Sequence, residues 1–242
     1  MAEQHHPAGA QSGLGDHVSP RATAVLVHGG WHGPWCWDPV RPGLHEAGID
    51  TFPVELPMRN LAGDIQVVRD AVAEARKATV PVIAVGHSYG GQVINSAAHG
   101  ADQLVYVAAM VPERGQSLLG AFGDGLTALP GLRVEGHSIR ATEAAAPSFY
   151  GRCDPTTRDW ALPRLRPIGL ACLTETDDSE PAWKARPARY VVSADDRVLP
   201  VGYQRARAAL MTDSVELDAD HSPFGSATDA LVDAIATFIQ AD

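Results

Sequence analysis

Cysteine and methionine are scarce in these 242 residues, with three Cys and four Met, and Trp, Tyr and Phe number five each. Cys36, Cys153 and Cys172 form an odd set without Cys-x-x-Cys spacing, which argues against a disulfide framework or a structural zinc site. A single Cys153–Cys172 bridge stays open beside the alternative of buried free thiols. No apolar run approaches the ~18 residues of a membrane span, so no membrane partner is expected. Positive charge is short as well: 19 Lys and Arg face 29 Asp and Glu, a net charge of −10. Nucleic-acid binders present a basic face, so that partner is not expected either. No basic segment followed by an apolar core heads the chain, which leaves the cytoplasm as the expected compartment. Residues 1–20 are rich in Gly, Ala, His and Gln without a period, and are expected to form a disordered leader. The adjacent His5 and His6 there carry no metal expectation.

What the chain does have is 45% apolar residues in an alternating order of segments. Ala22–Val27 is a short apolar run without polar alternation, as in a central parallel strand covered on both faces. Ile49–Val54 contains Pro53, which suits an edge strand. Val82–Val85, Leu104–Val107, Tyr190–Val192 and Ser214–Leu217 complete about six strands. Between them lie a helix opened by Asp38 and Pro39 and stopped at Gly48, a helix from Asp64 to about Lys77, one from Gly202 to Met211, and a closing helix from Thr228 to Ile239. Alternating strands and helices predict an α/β fold, a mostly parallel central sheet with helices on both faces. Residues 112–187 break the pattern with Gly, Pro and short helical pieces. They are expected to form a small helical cap on a core made of 21–111 and 188–242.

Chemistry concentrates at Gly86-His87-Ser88-Tyr89-Gly90-Gly91. It follows a β-branched run and opens a helix, the strand–turn–helix context of a Gly-x-Ser-x-Gly nucleophile elbow. The flanking glycines tolerate the close backbone approach of so sharp a turn, and the serine is pushed out over the sheet edge. A serine hydroxyl is too weakly acidic to attack alone and needs a base, which in turn needs an orienting carboxylate. Asp195 and Asp196 follow one strand, and His221 follows the last one. Ser88, then aspartate, then His221 is the chain order of one serine-hydrolase architecture. Asp196 is the preferred acid and Asp195 its alternative. Charge developing on the substrate carbonyl oxygen needs two backbone N–H donors. Tyr89 supplies one, and Gly30 in the His28-Gly29-Gly30 loop the other, with Trp31 as the alternative.

Leu26-Val27-His28-Gly29-Gly30-Trp31-His32-Gly33-Pro34-Trp35-Cys36-Trp37 resembles the oxyanion loop of the α/β-hydrolase superfamily, in the branch of plant methylesterases, hydroxynitrile lyases and bacterial esterases. Gly86-His87-Ser88-Tyr89-Gly90-Gly91, Asp196-Arg197-Val198-Leu199-Pro200 and His221-Ser222-Pro223 resemble its elbow, acid and base segments. Phe149-Tyr150-Gly151-Arg152-Cys153-Asp154-Pro155 is similar to a cap segment of the bacterial members. The resemblance implies a carboxylic ester hydrolase without cofactor or metal, acting on a small-molecule ester through a Ser88–His221–Asp196 triad. The cap is expected to add Phe149, Tyr150 and Trp160 to Trp31 as the substrate pocket. Two features depart from that branch. The stretch from Glu55 to Asp64 is short, which would open one wall of the site. The lysine that the lyases place after the acid strand is lacking, with only Arg197 between Asp195 and Pro200, which tilts against lyase chemistry. The rivals are cofactor-free lyase or oxygenase chemistry with the His–Asp pair as a plain base, and a hydrolase-like receptor. A homodimer and the identity of the ester stay open.

Overall fold

The computed structural model describes residues 20–123 and 127–239. The expected leader therefore lies, except for Pro20, outside the described residues. The chain runs β1 (Ala22–Val27), α1 (Arg41–Glu46), β2 (Ile49–Val54), α2 (Leu61–Ala75), β3 (Val82–His87), α3 (Tyr89–Ala97) and β4 (Gln103–Val107). It then leaves this layer for α4 (Leu118–Phe122), β5 (Leu132–Glu135), β6 (Ser138–Ala141), α5 (Ala146–Phe149), α6 (Pro155–Ala161), β7 (Ile168–Gly169) and α7 (Leu170–Thr174). It returns with β8 (Ala188–Ser193), α8 (Val201–Ala208), β9 (Asp213–Leu217), α9 (Pro223–Ser226) and α10 (Thr228–Ile239).

The main sheet has six strands in the order β2-β1-β3-β4-β8-β9, every neighbouring pair parallel. This is the expected α/β architecture. Burial follows position in that order. Every residue of β3 and β4 is buried, whereas the edge strands β2 and β9 alternate buried with exposed. Continuous Val, Ile, Leu and Ala runs suit the centre because both faces are covered there, and alternation suits an edge with one face wet. Helix α2 packs on α3, and α1 on α10. Among the described residues no helix is long and apolar enough to cross a membrane.

The chain leaves β1 outward to β2 and then returns past β1 to β3. That reversal opens a crevice at the carboxyl ends of β1 and β3, where open parallel sheets take their ligands.

The structure differs from expectation in four places. The helix expected from Asp38 begins only at Arg41. Pro34–Trp37 form a tight 3₁₀ turn that sinks Cys36 and Trp37 into the core, and Asp38 closes it by donating its N–H to Trp35 O. Helix α2 starts at Leu61, because the Asn60 side chain caps it by accepting from the Gly63 N–H at 2.7 Å. Glu175 of the cap adds a second cap, accepting from the Leu61 and Ala62 N–H groups. The cap itself is more than helical: β5, β6 and β7 form a three-stranded antiparallel sheet. The short stretch after Glu55 leaves no open wall either, since Gly169 of the cap donates its N–H to Met58 O at 2.8 Å and covers it.

Candidate active site

The turn between β3 and α3 is as tight as its glycines suggest. Ser88 has φ 52° and ψ −120°, a left-handed backbone that non-glycine residues rarely hold. A Cβ added at Gly86 would lie 2.6 Å from the Gly90 carbonyl oxygen. One added at Gly90 would lie 2.6 Å from the carbonyl oxygens of both Val27 and His28. Two strand ends and a helix start thus meet within backbone contact, and only glycine fits between them. Ser88 is held from below as its N–H donates to Val107 O at 3.1 Å. Tyr89 is the first residue of α3, so its N–H has no acceptor within the helix.

Ser88 Oγ lies 3.0 Å from His221 Nε2, and His221 Nδ1 lies 2.8 Å from Asp196 Oδ2. Strands β3, β9 and β8 bring these residues to one rim from distant parts of the chain. His221 is steadied through its backbone, its carbonyl accepting from His87 Nε2–H at 2.7 Å. The neighbouring Asp220 carboxylate fastens the same turn, accepting from the N–H groups of Ser222 and Arg152. Asp196 is fully surrounded. One oxygen accepts from the Val198 and Leu199 N–H groups at 2.7 and 2.9 Å, the other from Gln204 Nε2 at 2.8 Å as well as from the histidine. A buried carboxylate with this many donors is held in place. Asp195 instead turns outward toward Arg197, 3.5 Å away, and touches neither partner.

The loop after β1 presses against Ser88. A Cβ added at Gly29 would stand 2.9 Å from Ser88 Cβ, and one at Gly30 would stand 3.7 Å from Tyr89 Cβ. Three neutral histidines brace this region. Burial pushes the pKa of His28 down to about 3 and that of His32 to about 4, and drives His87 well below the usual histidine range. His28 accordingly accepts from the Leu56 N–H through Nε2 while its Nδ1 faces Gly29 O.

Among the expected pocket residues, Trp31 and Phe149 are together, with ring centres 5.5 Å apart, and Phe149 stands 6.2 Å from the His221 ring. Tyr150 is buried, and its hydroxyl is spent on His32 Nε2 at 2.7 Å. Trp160 is apart from this group. It is 38% exposed, packs edge-on against Trp35, and lines a separate apolar hollow of about 310 Å³ with Pro39, Tyr150 and Phe224. Residue type alone does not say which face of α6 turns to the core. Ser88 is only 3% exposed. A roomier surface hollow, about 900 Å³, opens elsewhere, beside His45, Asp50 and Glu74.

Two buried polar partners were not foreseen. Gln204 bridges Asp196 to the Ser193 N–H. Asp64 accepts from the Tyr89 hydroxyl at 2.6 Å and from the Met58 N–H at 2.9 Å, and burial raises its pKa. The only signal for either was a polar residue on the apolar face of a helix. The cysteines are free and buried, Cys153 beside Asp220 and Cys172 beside Asp64.

Comparison with known proteins agrees with this architecture. The sequence model described as Alpha/beta hydrolase family matches residues 24–234. The chain belongs to the alpha/beta hydrolase family. A carbendazim hydrolyzing esterase of Nocardioides sp. (strain SG-4G) is 38% identical over 175 residues, 62% of this chain and 70% of that protein. Methylesterase 9 of Arabidopsis thaliana is 38% identical over 77 residues, 28% of this chain and 30% of its own. Among solved structures, a pyrethroid hydrolase from Sphingobium faniae JZ-2 superposes with a TM-score of 0.76 at 22% identity, covering 91% of this chain and 98% of that one. The last likeness is one of fold. Esterase and methylesterase names among the relatives of this alpha/beta hydrolase agree with the enzyme class expected from its residues, a carboxylic ester hydrolase.

Proposed function

We propose that this alpha/beta hydrolase cleaves small carboxylic esters through a covalent acyl-enzyme. The observation that carries the reading is the unbroken line from Ser88 Oγ through His221 to the Asp196 carboxylate, with spacings of 3.0 and 2.8 Å. Ser88 attacks the ester carbonyl while His221 Nε2 takes the hydroxyl proton. Asp196 holds the ring with Nδ1–H toward it and stabilises the imidazolium that forms. The oxyanion of the tetrahedral intermediate rests on the Gly30 and Tyr89 N–H groups, near the positive end of α3. His221 then gives its proton to the leaving alcohol. A water, deprotonated by the same imidazole, discharges the acyl group and regenerates the serine.

Residues 112–187 serve as the cap in this reading. With Ser88 covered, the substrate enters as the cap opens, and the apolar faces of Trp31 and Phe149 receive its hydrocarbon part.

The test is turnover of p-nitrophenyl esters of graded acyl length, combined with phenylmethylsulfonyl fluoride labelling and mass spectrometry. A single adduct on Ser88 and loss of several orders of magnitude of activity in Ser88→Ala are expected. An enzyme that remains active while unlabelled would refute the acyl route and favour the His221–Asp196 pair as a plain base.

A further inference from the structure

The loop that carries Gly30 closes on itself through a long bond, the His32 N–H donating to Gly29 O at 3.3 Å, and its neighbours add the rest. Trp31 has φ 63°, a left-handed conformation that a bulky residue keeps only when its surroundings impose it. The surroundings that impose it come from the cap. The Arg166 N–H donates to Trp31 O at 2.7 Å, and Trp31 Nε1–H donates to Ile139 O at 3.0 Å. The Arg166 guanidinium reaches further, donating to His32 O at 3.1 Å and to Leu56 O at 3.3 Å. A second clamp runs through a side chain. The Tyr150 hydroxyl donates to His32 Nε2 at 2.7 Å, and His32 Nδ1–H donates to Gly30 O at 2.8 Å. The two bonds need one neutral tautomer of His32, which its burial favours. The carbonyls of residues 30, 31 and 32 are therefore all fixed, directly or through one imidazole, by Arg166 and Tyr150.

We propose that Arg166 and Tyr150 are positioning residues for the oxyanion loop, so that closing the cap and completing the oxyanion hole are a single event. The inference rests on the acyl-transfer reading. Opening the cap withdraws both bonds on Trp31, which lets it leave the left-handed region. The Gly30–Trp31 peptide then turns, the His32 bond to Gly30 O is lost, and the adjoining Gly30 N–H loses its aim at the oxyanion. Substrate choice follows from this coupling. An ester too bulky for the cap to close over it still binds, but reacts slowly, so selection appears in kcat more than in KM.

The experiment compares wild type with Arg166→Met, Arg166→Lys and Tyr150→Phe. Steady-state kinetics on p-nitrophenyl acetate and butyrate are joined by the affinity of a trifluoromethyl ketone, which forms a tetrahedral adduct, and of a planar carboxamide isostere. Arg166→Met keeps its own N–H bond to Trp31 O but loses the guanidinium bonds to His32 O and Leu56 O, so kcat should fall about 10-fold there, as in Tyr150→Phe. KM and carboxamide affinity should stay within about twofold, while ketone affinity falls in step with kcat/KM. Arg166→Lys, which can still donate to the carbonyls, should recover part of the loss. Amide hydrogen exchange across residues 28–33 should quicken in Arg166→Met and Tyr150→Phe, a readout that needs no turnover. Variants with wild-type kcat, or with wild-type exchange at 28–33, overturn the inference. A wild type that takes no label on Ser88 overturns the acyl-transfer reading instead, and exchange still tests the clamp.

Discussion

Gln204 lies on the buried side of α8 and serves three groups at once. Its Nε2 donates to Asp196 Oδ2 at 2.8 Å and to Leu199 O at 3.0 Å, and its Oε1 accepts from the Ser193 N–H at 3.0 Å. Gln204→Met keeps the volume and removes all three bonds. The Ser193 N–H is then stranded in the core, and a buried donor without a partner costs about 1–3 kcal/mol. The Asp196 carboxylate loses one charge-assisted bond but keeps the Val198 and Leu199 donors. A net loss of about 2–4 kcal/mol is expected, allowing for the apolar surface methionine buries. For a chain of this size that corresponds to about 5–15 °C in Tm. Activity should fall about tenfold, because Asp196 is held less firmly while the Ser88–His221 pair is untouched. Gln204→Glu sets a second carboxylate against Asp196, so one of the two must keep a proton. The raised folded-state pKa makes that variant lose further stability as pH climbs from 5 to 8, which Gln204→Met does not do. Urea unfolding followed by far-UV circular dichroism at each pH measures both effects. A Gln204→Met protein within about 0.5 kcal/mol of wild type, the range of an ordinary surface substitution, would refute the reasoning.

The buried histidines set the acid limit of the fold. His28 and His32 titrate near 3 and 4 when folded, with His87 also depressed, against 6.5 when unfolded. The unfolded chain thus binds more protons below pH 6.5, and stability falls as pH drops. Each histidine should remove roughly 2–3 kcal/mol by pH 4.5. Asp64, whose pKa burial raises, works in the opposite direction, one group against three. Urea midpoints should therefore be level above pH 7 and collapse toward pH 4.5, and a level profile down to 4.5 would contradict the burial of these rings. The three thiols make a separate check: burial pushes Cys172 up to about 12 and raises Cys36 and Cys153 as well. Ellman's reagent at pH 8 should find almost no reactive thiol in the native protein and three after denaturation, so one fast equivalent in the native state would contradict their placement.

What could be foreseen from the residues and what could not divide along a physical line. The central strands announce themselves because burial on both faces demands unbroken apolar runs, and Ala22–Val27 has the same bounds in the pattern and in the fold. The closing helix Thr228–Ile239 does too, since its apolar face repeats at helical spacing. Ser88 is legible because its strained φ needs glycines on either side, and glycines are visible in a sequence. Choosing Asp196 over Asp195 is harder, since both follow the same strand and only the turn geometry decides which carboxylate faces inward. Trp160 is hard to place for a related reason, since residue type does not say which face of α6 turns inward, and its ring packs on Trp35. Arg166 gave no sign of its role at all. It stands between Leu165 and Pro167 without a helical period, and besides the Glu55 carboxylate its acceptors are the carbonyl oxygens of Trp31, His32 and Leu56. Every residue has a carbonyl, so an acceptor of this kind leaves no mark in residue type, however far along the chain its donor lies. Side chains that do chemistry are constrained in identity, whereas those that hold a loop by its backbone are constrained only in reach. In the proposed site the reacting groups are therefore the most legible part and the proposed clamps on the loop after β1 the least, although in that reading the first depend on the second for their geometry.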